Sequence, residues 1–536
     1  MPNTSNTQFI THRWSGGWAP NYGKLVSNLP TQTTSIEIPF ALEAKNIFWS
    51  LDGGFSQVGG TAKMSALLES GEEVMGLFDY WRIGTSGSST RRKVCHVGTF
   101  IYEDQDTDTW QKLGVATYTS LQNAKHPNYT TFNDLLIITS DSNTDVPYSW
   151  DQTTFQVLAG SPPNFAFAVE HKGRLWAAGV AANPSRLYYS GKDDPELWPP
   201  TSSGIGAPGY IDISPGDGDE IRGIASYKND LWVFKGPNKG SIHRITGSSP
   251  SDFSRTLFIR GLPCAGHSTI VSFKDDLLFM TPSGSMRSLK ATAAFGDYND
   301  AAITFPINQW LLDNLKFSAL KTAWTVNDPA TSHLYIAVPT GSSTVNNLVL
   351  CYDYQFSNIQ RPDRWSRITD WPVHSLANMI VAGLPTVYAG GADGYIRSTN
   401  TAAKSIDATT PITPVVTSPF MNYGSSIQFK TIAAMGFTLS TTGNDSLTFR
   451  WVRDSTFDQI VTISQGAVEG VALGVFVLDA DQLTGGVGRI IEVFYDMEEG
   501  GHFRWIQYQL ENNVLNDDLV VHAFLAGLQF DGVGTE

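Results

Sequence analysis

Ten histidines are scattered along the 536 residues, at positions His12, His96, His126, His171, His243, His267, His333, His374, His502 and His522. None stands in an HxH, HExxH or HxxE spacing, the spacings that put two metal ligands, or a ligand and a general base, side by side. A strand-to-helix GxSxG turn for a serine nucleophile and a phosphate-cradling P-loop are both absent from the sequence. Asp217-Gly218-Asp219-Glu220 packs three carboxylates into four residues. Calcium needs oxygen ligands arranged around it, and three adjacent side chains cannot all turn inward from a strand, so a solvated turn is the favoured reading. Asp104, Asp106 and Asp108 alternate and share one face in an extended segment, as a cation site or, preferably, an exposed acidic loop. Arg91-Arg92-Lys93 is the one dense basic run and reads as a loop tip. No catalytic, cofactor-binding or metal-ligating residue is assigned, and no cofactor is expected.

The elements that must carry these residues repeat. A polar turn followed at once by a short apolar run occurs at Phe132-Asn133-Asp134-Leu135-Leu136-Ile137, at Tyr227-Lys228-Asn229-Asp230-Leu231-Trp232-Val233 and at Phe273-Lys274-Asp275-Asp276-Leu277-Leu278-Phe279. A looser copy is His171-Lys172-Gly173-Arg174-Leu175-Trp176-Ala177. Each unit reads as a β-hairpin. Recurrence at roughly 35 to 57 residues is the signature of four-stranded propeller blades. The fold expected is all-β: a β-propeller of about seven blades with an appended C-terminal β-sandwich. Residues 1–70 form an N-terminal arm and first strands, 71–400 the propeller, 401–419 a Thr/Pro/Ala-rich linker, and 420–536 the sandwich. A short helix is expected from Ile307 to Leu315. Ser50-Leu51-Asp52-Gly53-Gly54-Phe55-Ser56 resembles one incomplete Asp-box of sialidase propellers, but the favoured reading is a simple chain reversal at Asp52-Gly53-Gly54. Leu187-Tyr188-Tyr189 and Trp198 are read as buried blade aromatics rather than a glycan platform.

Composition narrows the partners. The formal net charge is −15, which argues against general phosphate neutralisation. Charged residues are only 16% of the chain, and this low value suggests a surface partly covered by other subunits. Three cysteines, Cys95, Cys264 and Cys351, lie far apart and in odd number, which favours synthesis in a reducing cytoplasm over a disulfide framework. With no apolar core near the first residue and no run of about 20 apolar residues, neither a signal peptide nor a membrane span is expected.

Several segments together resemble the tail nozzle proteins of short-tailed bacteriophages, also described as packaged-DNA stabilisation or tail-hub proteins. They are Trp14-Ser15-Gly16-Gly17-Trp18, Gly173-Arg174-Leu175-Trp176-Ala177, Arg186-Leu187-Tyr188-Tyr189-Ser190-Gly191, Asp194-Pro195-Glu196-Leu197-Trp198, Gly216-Asp217-Gly218-Asp219-Glu220-Ile221, and Arg504-Trp505-Ile506-Gln507-Tyr508. The resemblance implies a non-enzymatic structural protein of the virion, made in the host cytoplasm. It implies a homohexamer that forms the distal DNA-exit channel below the portal–adaptor complex. The partners it implies are the tail adaptor, a tail fibre or tailspike, needle or plug proteins, and double-stranded DNA in non-specific passage. The competing expectations are a receptor-binding or fibre-docking tail protein with a glycan-binding propeller, and a propeller glycosidase.

Overall fold

The computed structural model describes residues 8–22, 28–29, 38–50, 52–84, 87–113, 126–141, 145–199, 204–295, 302–355, 364–423, 428–441, 446–454, 456–464, 489–496 and 502–530. The chain divides into two compact units. The first comprises Met1–Ala62, Leu350–Trp371 and Asn400–Glu536, and the second Lys63–Val349 and Pro372–Thr399.

The second unit is a succession of small antiparallel sheets. Four sheets of four strands follow in chain order, their first strands being Val74–Ile83, Pro127–Phe132, Phe167–His171 and Glu220–Tyr227. A three-stranded sheet begins at Val271–Phe273. The hairpin Trp324–Asp328 with His333–Val338 comes next, and then the sheet that begins at Ser375–Val381. Within the four-stranded and three-stranded sheets neighbouring strands are consecutive in sequence, as short turns require. Asn133 and Asp134 both have positive φ, and so do Lys172 and Gly173. Two such residues in a two-residue loop match the right-handed twist of the flanking strands. The polar-turn motif of the sequence is therefore the first hairpin of the sheets that begin at Pro127, Phe167, Glu220 and Val271. The expected short helix is present at Asn308–Asn314.

The apolar core of this unit lies between sheets, as a series of slabs. Val94, Ile101 and Tyr80 of the first sheet pack with Leu136, Ile138 and Trp150 of the second. Ile137 and Phe132 pack with Leu175 and Ala177 of the third, and Trp176 and Leu187 with Ile224 and Val233 of the fourth. Phe234 and Ile242 pack with Leu277 and Phe279. The last sheet packs against the first through Met379, Tyr388 and Ile396 on Leu77, Cys95 and Val97. That last contact is also hydrogen bonded: Ser375 Oγ donates to the Val74 carbonyl at 2.8 Å, and Ile380 N donates to Asp79 Oδ2 at 2.9 Å.

The first unit holds two larger sheets. In one, Lys430–Thr441 lies between Arg489–Asp496 and Val520–Phe530, and Phe55–Gln57 and Ile47–Trp49 extend it. Gln8–His12 also pairs with Val520–Phe530. The other runs Arg364–Ile368, Glu43–Lys45, Val415–Thr417, Ile506–Glu511, Ser446–Arg453 and Thr456–Ser464. Strict alternation buries Ile506, Tyr508 and Leu510 and turns the intervening residues outward. The two sheets meet through aromatic rings: Phe437 on Phe449 at 5.3 Å, Phe449 on Phe524 at 5.6 Å and Tyr508 on Phe524 at 4.6 Å between centroids. This is sandwich packing. Strands of residues 8–12, 43–45, 47–49 and 55–57 thus share sheets with those of residues 415–530.

Candidate functional site

The side chains of interest in the second unit come from the starts of first strands. His126 precedes Pro127–Phe132, and His374 precedes Ser375–Val381. His267 opens the 3-10 turn before Val271–Phe273, and Lys321 lies in the 3-10 turn before Trp324–Asp328. Glu220 and Arg222 lie at the start of their own strand. A strand start fixes a side chain's direction through the ladder behind it, so repeated sheets aim repeated positions at one place.

That place is a cavity of about 360 Å³ lined by His126, Asn128, Asp141, Phe167, Glu220, Arg222, His267 and Lys321 among others. A second cavity of about 280 Å³ shares Pro127 and Asn128 with it and is lined by Asp79, Tyr129, Trp324, Leu376 and Asn378. Phe167 and His267 form a parallel ring pair at 4.6 Å, and His126 and His374 another at 5.3 Å. Asn128 Oδ1 accepts the Ala168 N–H at 3.0 Å, which sets the amide's orientation. Both carboxylates of the larger cavity have cationic neighbours: Lys321 Nζ is 2.7 Å from Asp141 Oδ2, and Arg222 Nε is 2.6 Å from Glu220 Oε1. His374 Nδ1 stands 3.5 Å from Glu73 Oε2.

The imidazoles here are held neutral. Burial lowers His126 and His267 to about 4. Burial lowers His374 to about 3, with the neighbouring His126 adding to the effect. His96, behind them in the second strand of the first sheet, is lowered to about 4 by burial. Desolvation disfavours the charged ring, and at His374 it prevails although the Glu73 carboxylate stands 3.5 Å away. Chemically the cavity offers flat ring faces, an amide, two carboxylates and two cations, which suits a neutral polyhydroxylated or mixed polar–apolar ligand.

The residues singled out in the sequence fall elsewhere. Asp104, Asp106 and Asp108 do converge, but on a lysine: Lys93 Nζ lies 3.2 Å, 3.2 Å and 3.0 Å from their carboxylates. Asp104 is fully buried, so the exposed-loop reading is corrected for that residue. Arg91-Arg92-Lys93 is not a loop tip but part of the strand Ser89–Val97. Arg91 pairs with Asp79 at 2.6 Å and Arg92 with Glu103 at 3.2 Å, so the run is neutralised in place. Asp217 accepts from Lys235, whose ammonium is fully buried and also donates to the carbonyls of Ile213 and Ser214. Asp219 is buried rather than solvated and accepts the N–H groups of Asn238, Lys239 and Gly240 at 2.7, 3.1 and 2.7 Å. Leu187, Tyr188, Tyr189 and Trp198 are buried, as expected for blade aromatics. In the first unit, Asp52 caps a chain reversal between Ile47–Trp49 and Phe55–Gln57, accepting the Gly54 N–H at 3.1 Å. Leu51 of that motif lies outside the described residues.

The sequence offered a route to this cavity that motif spacing could not provide. Its histidines lie one or more blades apart in sequence, so no local pattern joins them. Aligning the blade repeats would have placed His126 and His374 at equivalent strand starts.

No protein-family model matches the chain. No curated protein matches it either. Among solved structures, an exo-β-1,3-galactanase from Phanerochaete chrysosporium, in complex with β-1,3-galactotriose, is matched at 10% identity and a TM-score of 0.25, over 90% of this chain and 99% of that one. The same galactanase with galactose is matched over 94% and 99% at 10% identity and a TM-score of 0.25. A glycoside hydrolase family 43 arabinoxylan arabinofuranohydrolase from Bacillus subtilis is matched at 12% identity and a TM-score of 0.21, over 91% and 95%. At these scores the matches assign no activity to this chain. The tail-nozzle resemblance is corrected here: the structures named above are glycoside hydrolases, and none of them is a tail protein. The expectations built on that resemblance fall with it: the non-enzymatic role, the hexamer, the adaptor, fibre, tailspike, needle and plug partners, the passage of DNA and the place in a virion.

Proposed function

We propose that the second unit is a closed ring of seven blades that binds carbohydrate in its axial cavity. The ring reading is supported by first strands starting at Val74, Pro127, Phe167, Glu220, Val271, Trp324 and Ser375, and by the packing of the last sheet on the first. Residues 420–536 are taken as the main body of a separate sandwich.

The observation that carries the carbohydrate reading is the joint lining of one cavity by Asp141, Glu220, Asn128 and the Phe167–His267 ring pair. A sugar has one face of C–H groups, which suits a flat ring, and an edge of hydroxyls, which suits carboxylates and amides. A second reading, glycoside hydrolysis, is favoured by two carboxylates facing the same cavity, the minimum set for acid–base cleavage of a glycosidic bond. Calorimetric titration against a panel of neutral oligosaccharides, with reducing-end release measured in parallel, tests both. The expected result is saturable binding, weakened about 10-fold or more in Asp141→Asn or Glu220→Gln, which corresponds to about 1.4 kcal/mol. Binding of no saccharide in the panel would refute the assignment. Binding without release in the unmodified chain would leave the hydrolytic reading unsupported.

A further inference from the structure

In the first unit, three residues far apart in sequence meet in a line of hydrogen bonds. Ser440 Oγ lies 2.7 Å from His522 Nε2, and His522 Nδ1 lies 2.7 Å from Asp52 Oδ2. We propose that Ser440, His522 and Asp52 form a nucleophile–base–acid triad that cleaves uncharged carboxylic esters.

The bonding fixes the proton positions. An ionised carboxylate only accepts, so Nδ1 of His522 carries the hydrogen and donates it to Asp52. Nε2 is then left as an acceptor, and Ser440 Oγ–H donates to it. This tautomer and these two contacts are the arrangement that activates a serine hydroxyl. Asp52 is equipped to stay ionised. Burial raises its carboxyl, but the bonds from Ser50, His522 and the Gly54 N–H outweigh burial and lower it.

Backbone geometry builds the set. Thr438 pairs with Ala523 and Leu439 with Val521, so His522 is the extra residue of a β-bulge. Bulges re-aim a side chain within a ladder. Leu439 and Val521 on the inner face are buried, whereas Ser440 and His522 are half-buried on the other face. The turn that holds Asp52 lies close under His522: a Cβ on Gly54 would stand 2.7 Å from His522 Cα and 2.1 Å from the Val521 carbonyl. Side-chain exposure is 23% for His522 and 36% for Asp52, so substrate has access from solvent. The set contains a carboxylate and no cation, which favours an uncharged ester over an anionic one.

In the reaction, Ser440 Oγ attacks the ester carbonyl carbon as its proton passes to His522 Nε2. The carbon–oxygen bond to the alcohol breaks, and the alcohol leaves with that proton. Water then attacks the acyl-serine, giving its proton to Nε2, and the carboxylic acid departs as Ser440 recovers its hydrogen.

The test uses the full chain and a fluorophosphonate probe, with labelled peptides identified by mass spectrometry. The probe forms a bond from Ser440 Oγ to phosphorus and releases fluoride. The expected result is stoichiometric label at Ser440, with p-nitrophenyl acetate hydrolysis falling at least about 100-fold in Ser440→Ala and His522→Gln. Asp52→Asn is expected to slow labelling and to change its pH profile. Absence of label on Ser440 in the unmodified, folded chain overturns the proposal whatever the variants do. Labelling that is indifferent to His522→Gln, or a rate and pH profile unchanged in Asp52→Asn, overturns it too.

Discussion

Lys93 shows how a cluster that reads as a cation site is completed by the protein's own cation. Its ammonium is 3% exposed, with Asp104, Asp106 and Asp108 around it. Burial opposes its charge, but the hydrogen bond to Asp108 and the surrounding carboxylates outweigh burial and raise its pKa. Asp104 is correspondingly lowered: burial raises it, and the Thr107 and Thr109 N–H groups with Lys93 more than offset that. Removing one partner of a buried pair leaves the other charge uncompensated. Lys93→Met should therefore lower stability by about 3–5 kcal/mol, read as a shift in urea midpoint, and adding Asp104→Leu should restore part of the loss. A Lys93→Met midpoint equal to that of the unmodified chain would show that the cluster tolerates its own charge. The alternation of Asp104, Asp106 and Asp108 was legible in the sequence. Lys93 as their counter-ion was not, because antiparallel pairing of Phe100–Asp104 with Ser89–Val97 brings it there.

At the scale of elements, the hairpin turns were legible because two-residue turns demand particular residues. The Asn133-Asp134 and Lys172-Gly173 positions have the positive φ that the turn type requires. The β-bulge at His522 left no such mark, since a bulge depends on the register of a strand more than 80 residues away in sequence. Gly54 is the element-level constraint on that region. Any Cβ there meets the Val521 carbonyl at 2.1 Å, so the Phe55–Gln57 strand must shift away from Val520–Phe530. Gly54→Ala is expected to cost about 1–3 kcal/mol, measured by thermal or urea unfolding. It should also lower the p-nitrophenyl acetate rate by displacing Asp52. Unchanged stability would mean that the turn relaxes without disturbing the sheet.

At the scale of the molecule, the second unit gathers neutral histidines at and beside its larger cavity. The folded-state values of His96, His126 and His267 are about 4 and that of His374 about 3, below the ordinary 6.5 of an unfolded chain. Between pH 6.5 and 4 the unfolded chain therefore binds more protons than the folded one, and stability must fall as pH falls. Above pH 6.5 these groups contribute no pH dependence. Each is expected to cost on the order of 1 kcal/mol per pH unit inside the window. Urea midpoints measured from pH 7.5 to 4 check this, with the decline expected to begin near 6.5 rather than in the carboxylate range. A flat profile down to pH 5 would contradict neutral burial, and His126→Phe should make the decline shallower.

The sequence by itself determined the class of fold. Period-two alternation and turn residues act locally, so sheets of hairpins follow from them without knowledge of the whole. It also determined the first hairpins of the sheets that begin at Pro127, Phe167, Glu220 and Val271, because these repeat the same local signal. The sites were decided only by tertiary structure. The larger cavity draws His126, Glu220, His267 and Lys321 from the starts of four different strands or the turns leading into them, and the Ser440–His522–Asp52 line joins segments near both ends of the chain. Segments remote in sequence meet because burying their apolar faces requires partners that no local stretch contains. Residue types alone therefore announced neither site, and the functional resemblance drawn from short segments was corrected.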